Sequence, residues 1–228
     1  MKRLNIQVPV QEYEMREELK MLRTNIQFCG ADKKAIVVTS CIAGEGKSTT
    51  ALDLAISLSQ LKKKVLLIDC DMRKSVLASR TAAKGAEYGL SHYLSGQASV
   101  EDITYAVNVP GLYVQFAGPV VPNPTELLST DAFGRMIQSF KEICDYIILD
   151  APPLGMVVDA AIIAKNCDGA VIVMESGAIK YRLAQSVKTK LEASGCPILG
   201  VILNKVDRKK DGGYYGKYYG KYYGKYYE

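Results

Sequence analysis

His92 is the only histidine in this 228-residue chain, and its six cysteines (Cys29, Cys41, Cys70, Cys144, Cys167 and Cys196) never stand as a CxxC pair. A protein-held metal centre draws on closely spaced Cys and His, and a disulfide framework on a set of paired cysteines. Neither has its residues here, so the cysteines read as reduced core thiols of a cytoplasmic protein. Long apolar runs are also missing. The opening MKRLNIQVPV has no apolar segment of signal-peptide length, and every later run breaks off well short of the roughly 20 residues a bilayer-spanning helix needs. Membrane association is therefore expected only through a partner. Excess charge is confined to one end. Of 29 Lys/Arg and 24 Asp/Glu, six bases and two acids lie from Arg208 onward, which puts +4 of the net +5 on the last 21 residues. The remaining body is nearly neutral, lacks the clustered bases with which a nucleic-acid groove displaces counterions, and is expected to have no nucleic-acid partner. The basic end suits at most weak contact with anionic lipid.

What is present is enough apolar sequence, 48% of the chain, for one sizeable α/β core. AIVVTS (35–40), VLLID (65–69), LYVQFA (112–117), YIILD (146–150), AVIVME (170–175) and ILGVILN (198–204) lack polar alternation, which predicts strands buried on both faces of a mostly parallel sheet. Residues 47–61, 130–144 and 180–194 have helical length and periodicity, giving the βαβ rhythm of a doubly wound fold. Ahead of the first strand, 11–29 predicts an amphipathic helix with Met15, Leu19, Leu22 and Ile26 on one face. Segments 76–99 and 118–129 are expected to be site loops with short helices. The expected division is an N-terminal helix (1–30), a nucleotide-binding domain (31–207) and a disordered tail (208–228).

Four of the strands end in polar residues: Ser40, Asp69 with Asp71, Asp150, and Asn204. Ligands of open α/β sheets bind at that edge. CIAGEGKST (41–49) stands between a buried strand and a helix, the setting of a phosphate-binding loop. Gly44 and Gly46 let backbone N–H groups turn toward phosphate oxygens, Lys47 reaches the β/γ-phosphates, and Ser48 offers its hydroxyl to Mg²⁺. The nucleotide loop is thus Ala43, Gly44, Glu45, Gly46, Lys47, Ser48 and Thr49, with Cys41 where the general pattern has its first glycine. YIILDAPP adds Asp150 as a second Mg²⁺ contact through water. VLLIDCDMR places Asp69 and Asp71 two apart on one side of an extended chain, so that one can take a proton while the other joins the metal.

The combination AGEGKST, LLIDCDMR, IILDAPP and the YYGK repeat resembles the bacterial tyrosine kinases of capsule and exopolysaccharide synthesis, whose Walker A, Walker A′ (φφφDxDxR) and Walker B (φφφDxPP) motifs precede a tyrosine cluster. GPVVPNPTELL (118–128) and LGVILNK (199–205) extend the resemblance over nearly the whole chain. It implies a P-loop fold of the deviant-Walker type, with ATP and Mg²⁺ as cofactors. Lys47 would hold phosphates, Ser48, Asp71 and Asp150 the metal, and Asp69 would be the base toward a tyrosine hydroxyl. The acceptors would be Tyr214, Tyr215, Tyr218, Tyr219, Tyr222, Tyr223, Tyr226 and Tyr227. It further implies the separate cytoplasmic subunit of Gram-positive systems, held at the inner face of the plasma membrane by a membrane-spanning adaptor of the polysaccharide copolymerase type and opposed by a tyrosine phosphatase. When dephosphorylated the chain would assemble into a ring, with an octamer as the candidate size. Glu17, Lys20 and Arg23 stand where the family has its E-x2-R-x2-R assembly motif, with Lys in place of the middle Arg; Lys lacks the bidentate fork.

Three other readings compete. A deviant-Walker ATPase switch without kinase activity carries an extra lysine early in its loop, at the position of Ile42. A GTPase would read guanine through Asn204-Lys205-Val206-Asp207, yet Asp150 is followed by Ala-Pro-Pro instead of the xxG of a GTPase; Asn204 is taken as a nucleotide-base contact. The tail GGYYGKYYGKYYGKYYE (212–228) could also serve as an adhesive low-complexity segment. Glycine every fourth residue predicts that it stays open to an active site, and its lysines give it a positive charge that phosphate reverses.

Overall fold

A computed structural model of the chain describes residues 1–207; residues 208–228, and with them all eight acceptor candidates from Tyr214 to Tyr227, lie outside the described residues. In chain order the described residues form β1 (Arg3–Leu4), α1 (Tyr13–Phe28), β2 (Ala35–Ser40), α2 (Lys47–Ser59), β3 (Val65–Asp69), α3 (Leu77–Arg80), α4 (Leu90–Leu94), α5 (Val100–Ile103), β4 (Tyr105–Val107), β5 (Leu112–Gln115), α6 (Pro124–Leu128), α7 (Asp131–Ile143), β6 (Tyr146–Asp150), α8 (Asp159–Ala164), β7 (Gly169–Glu175), α9 (Tyr181–Ala193) and β8 (Ile198–Asn204). All six apolar runs are strands. No sequence pattern marks β1, α5, β4 or α8, because two to six residues leave too little periodicity to distinguish from loop.

The strands form one sheet in the order β1-β4-β5-β3-β6-β2-β7-β8, parallel throughout except for the β4–β5 pair. Alternation along each strand divides the core in two. Val37, Leu66, Ile68, Ile147 and Leu149 pack with Phe133, Ile163 and Leu191 on one face. Ile36, Val38, Leu67 and Ile148 pack with Leu52, Leu54 and Ile26 on the other. The run ILGVILN departs from the expectation of burial on both faces: β8 is an edge strand, and its Val201 and Leu203 are 55% and 45% exposed.

Helix α1 lies along α2 of its own chain. Ile26 is buried, the Arg23 guanidinium donates to the Ser57 carbonyl at 3.0 Å, and the Gln11 amide donates to Asp53 Oδ1 at 2.9 Å. Met15, expected on the buried stripe, is 44% exposed. Burial pushes the Asp53 carboxyl up to about 6, against the opposing Gln11 hydrogen bond and Arg80 charge. The folded chain therefore holds a proton there that the unfolded chain has released, so this group's contribution to stability declines as pH rises from about 4 to 6. Asp53→Asn is expected to melt higher than the parent at pH 7, by up to about 3 kcal/mol from two pH units of linkage, with the advantage shrinking toward pH 4. Thermal unfolding of both proteins at the two pH values checks this; an equal difference at both contradicts it.

Candidate active site

The loop between β2 and α2 is held in shape by its own glutamate. Glu45 is almost fully buried, and its carboxylate accepts the Ile42 N–H at 2.7 Å and the Glu175 N–H at 3.1 Å. The side chain is thus structural, leaving the backbone N–H to face a phosphate. Gly46 has φ +93°, and a Cβ there would stand 2.2 Å from Asn204 Nδ2, which itself donates to the Glu45 carbonyl at 2.8 Å. Only glycine satisfies both conditions. Behind the loop, a Cβ on Gly155 would meet the Cys41 carbonyl at 2.0 Å, so the chain after β6 passes directly beneath the loop.

Sheet register assembles the acids. Asp69 and Asp150 are paired neighbours at the ends of β3 and β6, and β6 adjoins β2. Lys47, the first residue of α2, extends across them: its Nζ lies 3.1 Å from Asp71 Oδ2, 3.4 Å from Asp150 Oδ1 and 3.1 Å from Ser48 Oγ. Burial works against the Lys47 charge, but Asp150, Asp71 and Asp69 outweigh it and hold its pKa above the usual lysine range. Asp150 is raised by burial, against the pull of Lys47 and Ser48. Asp69 lies completely buried behind this group; burial, and then the charge of Asp150, push it up to about 7. Its Oδ1 accepts the Asp71 N–H at 3.1 Å and its Oδ2 the Ser75 hydroxyl at 2.5 Å.

The arrangement offers a hard cation oxygen donors from Ser48, Asp71 and Asp150 around one ammonium. No three-ligand cage of His, Cys, Asp or Glu occurs among the described residues. A nucleotide-bound Mg²⁺, which keeps waters and phosphate oxygens and takes one or two protein ligands, fits such a set. The Thr49 hydroxyl accepts a hydrogen bond from Arg80.

Sequence reasoning missed a clamp beside the acids. Arg73 holds Asp159 in a two-point contact, Nε to Oδ2 at 2.6 Å and Nη2 to Oδ1 at 3.0 Å, and Thr125 bridges both, accepting from Nη2 at 2.8 Å and donating to Oδ1 at 2.7 Å. It ties together the chain after β3, the start of α6 and the start of α8. No local pattern marks Asp159 or Ser75. Arg73→Lys loses the fork geometry, so we expect kcat to fall about tenfold with little change in nucleotide affinity; an unchanged kcat in phosphotransfer assays would show the clamp to be structural only.

A mostly parallel sheet with a glycine loop at the carboxyl end of an interior strand defines a nucleotide-binding P-loop protein, and the family model of the CobQ/CobB/MinD/ParA nucleotide binding domain matches residues 36–219. The tyrosine-protein kinase CpsD of Streptococcus agalactiae is 50% identical over 191 residues, covering 84% of this chain and 83% of that one. The tyrosine-protein kinase YwqD of Bacillus subtilis (strain 168) is 37% identical over 203 residues, covering 87% and 85%. Among solved structures, the kinase domain of the Escherichia coli tyrosine kinase ETK superposes with a TM-score of 0.79 at 29% identity, over 84% of this chain and 75% of that one. The chain belongs to the bacterial tyrosine-protein kinases. This membership disfavours the reading as an ATPase switch without kinase activity.

Proposed function

We propose that this kinase transfers the γ-phosphoryl group of Mg²⁺-ATP to the tyrosine cluster at residues 214–227 of a neighbouring copy. The observation that carries the reading is the Lys47 ammonium held between Asp71 and Asp150 with Asp69 directly behind. Phosphoryl transfer asks a protein mainly for positioning and charge stabilisation. Lys47 and the loop N–H groups hold the phosphates, and Ser48, Asp71 and Asp150 hold Mg²⁺, which neutralises charge on the phosphates when bound. Asn204 contacts the base, with ATP preferred over GTP. A phenol has a pKa of about 10, so a carboxylate must take its proton as transfer proceeds; a base titrating near neutrality suits that task. Asp69 has this character, and rotation of the Ser75 hydroxyl frees its Oδ2 for the incoming tyrosine.

The 21 residues after Asp207 reach up to about 70 Å when extended, enough for an adjacent active site. Each phosphate adds roughly −1.5 to −2 charges, so two or three overturn the tail's +4 and clustered tails repel. The ring therefore forms when the tails are unmodified and opens when they are loaded, and a tyrosine phosphatase resets it. Glu17 and Lys20 pair at 2.7 Å on the outer side of α1, where they are available to a neighbour, while Arg23 is engaged with α2. No helix among the described residues is long and apolar enough to cross a membrane. We place the chain at the inner face of the plasma membrane through a membrane-spanning adaptor, where it regulates capsular or exopolysaccharide synthesis.

The test is incubation with Mg²⁺-ATP or Mg²⁺-GTP, with and without the adaptor's cytoplasmic peptide, followed by mass spectrometry of residues 208–228 and sizing. Multiple tail phosphates, preference for ATP and loss of the oligomer are expected. A tail left unmodified throughout overturns the acceptor assignment, and an oligomer that survives heavy loading overturns the charge-repulsion cycle.

A further inference from the structure

β8 is an unusual edge. It pairs only with β7 among the described residues, runs for seven residues without proline or charge, and leaves Val201 and Leu203 half-exposed on one face. Its register with β7 shifts once, between Ile198 and Gly200, and is regular from Gly200 to Asn204. An uncharged edge of this kind is a template for another strand, and folded proteins normally cover or blunt it. Beside it, between β7, β8 and α9, lies an open groove of about 620 Å³ whose apolar lining includes Ile172, Met174, Tyr181, Ile198 and Val201. The charges along it, Lys188 and Glu192, are paired with each other at 2.5 Å.

The chain itself supplies an occupant of matching chemistry. The segment beginning ten residues after β8 ends reads YYGKYYGKYYGKYY, and because the repeat is four residues long, an extended backbone sorts it into two unlike faces. Even positions give Tyr214, Gly216, Tyr218, Gly220, Tyr222, Gly224 and Tyr226. Odd positions give Tyr215, Lys217, Tyr219, Lys221, Tyr223, Lys225 and Tyr227. One face carries tyrosine and glycine without charge, while the other puts a lysine between every two tyrosines. Tyrosine is favoured in strands. Lys205 already turns the chain, with φ +54°, and residues 205–213, ending Asp-Gly-Gly, have the length and composition to reverse it.

We propose that the unphosphorylated tail of this chain adds to β8 as an antiparallel edge strand, laying its tyrosine-glycine face in the groove between β8 and α9. Backbone pairing with β8 supplies the contact, and the apolar groove selects the uncharged face, as in strand-addition recognition generally. Seven residues of β8 accommodate about seven of the tail, so when the first repeats are docked the distal tyrosines stay free to reach a neighbour. Phosphate on a groove-facing tyrosine brings about two negative charges into an apolar site and releases the strand. This consequence rests on the kinase reading; the docking does not.

The test is amide hydrogen exchange of β8 in the full chain, dephosphorylated and kept without nucleotide. A variant with Tyr214, Tyr218, Tyr222 and Tyr226 changed to Ser is compared with one changed at Tyr215, Tyr219, Tyr223 and Tyr227. All four positions of a face are changed because registers four residues apart are equivalent. The β8 amides facing away from β7 are expected to exchange at least tenfold faster in the even-face variant than in the parent, and at parental rates in the odd-face variant. Val201→Lys should match the even-face variant. Equal exchange in parent and both variants overturns the proposal, as does equal loss in both. Protection that rises with protein concentration assigns the edge to a second copy and overturns it too. The readout requires no phosphotransfer, so a failed kinase assay and a failed docking test are distinguishable.

Discussion

Asp69→Asn is expected to bind nucleotide as the parent does and to transfer phosphate more slowly by a factor of about 10² to 10⁴, the usual contribution of a positioned general base. The substitution is nearly isosteric, and the amide oxygen can still accept the Asp71 N–H that now reaches Oδ1 at 3.1 Å. What it removes is the capacity to take a proton. Burial and the neighbouring Asp150 charge place that capacity at about 7 in the free protein. For an acid the base-competent form is the deprotonated one, so the parent's transfer rate rises with pH through the neutral range. The residual rate of the variant is expected to lack that rise. Single-turnover rates from pH 6 to 8, beside nucleotide affinities, test both parts. Normal phosphorylation by Asp69→Asn would pass the role of base to Asp71, whose carboxylate lies on the same side of the chain and is held by Lys47 and the Lys74 N–H.

Lys47→Met carries the second large effect, and it acts on two quantities at once. Phosphotransfer is expected to fall by at least about 10³, since removal of one charge-stabilising group from such a site costs on the order of 10² to 10³ and here the same group also binds the nucleotide. Stability is expected to fall as well. Without the ammonium, Asp71 and Asp150, both nearly enclosed, lose their shared cation, and breaking one side of a buried ion pair costs roughly 3–5 kcal/mol. The stability loss should shrink as pH falls, because protonating Asp150, whose titration burial moves upward, removes its need for a partner. Thermal unfolding at pH 5 and pH 8 is the check. A variant as stable as the parent at pH 8 would show that the acids do not depend on Lys47 in the free protein, and would leave its role to the nucleotide alone.

By itself the sequence determined the six principal strands, the four long helices and the chemical parts of the site. Those features are local: an apolar run of five residues, a glycine loop before a helix and a carboxylate at a strand end are each readable within about ten residues. The amphipathic stripe of α1 was legible, but its use was not, since Met15 faces outward while Arg23 turns in to Ser57. Tertiary structure decided which parts meet. Lys47 finds Asp71 and Asp150 across 24 and 103 positions because β3, β6 and β2 are adjacent in the sheet, and Asp69 stands beside Asp150 through strand register. Arg73 selects Asp159 from 86 positions away, and β8 is an exposed edge only because the sheet of the described residues ends there. Strand order and register are set by how two whole faces bury against their helices, a balance summed over the domain that no single segment records.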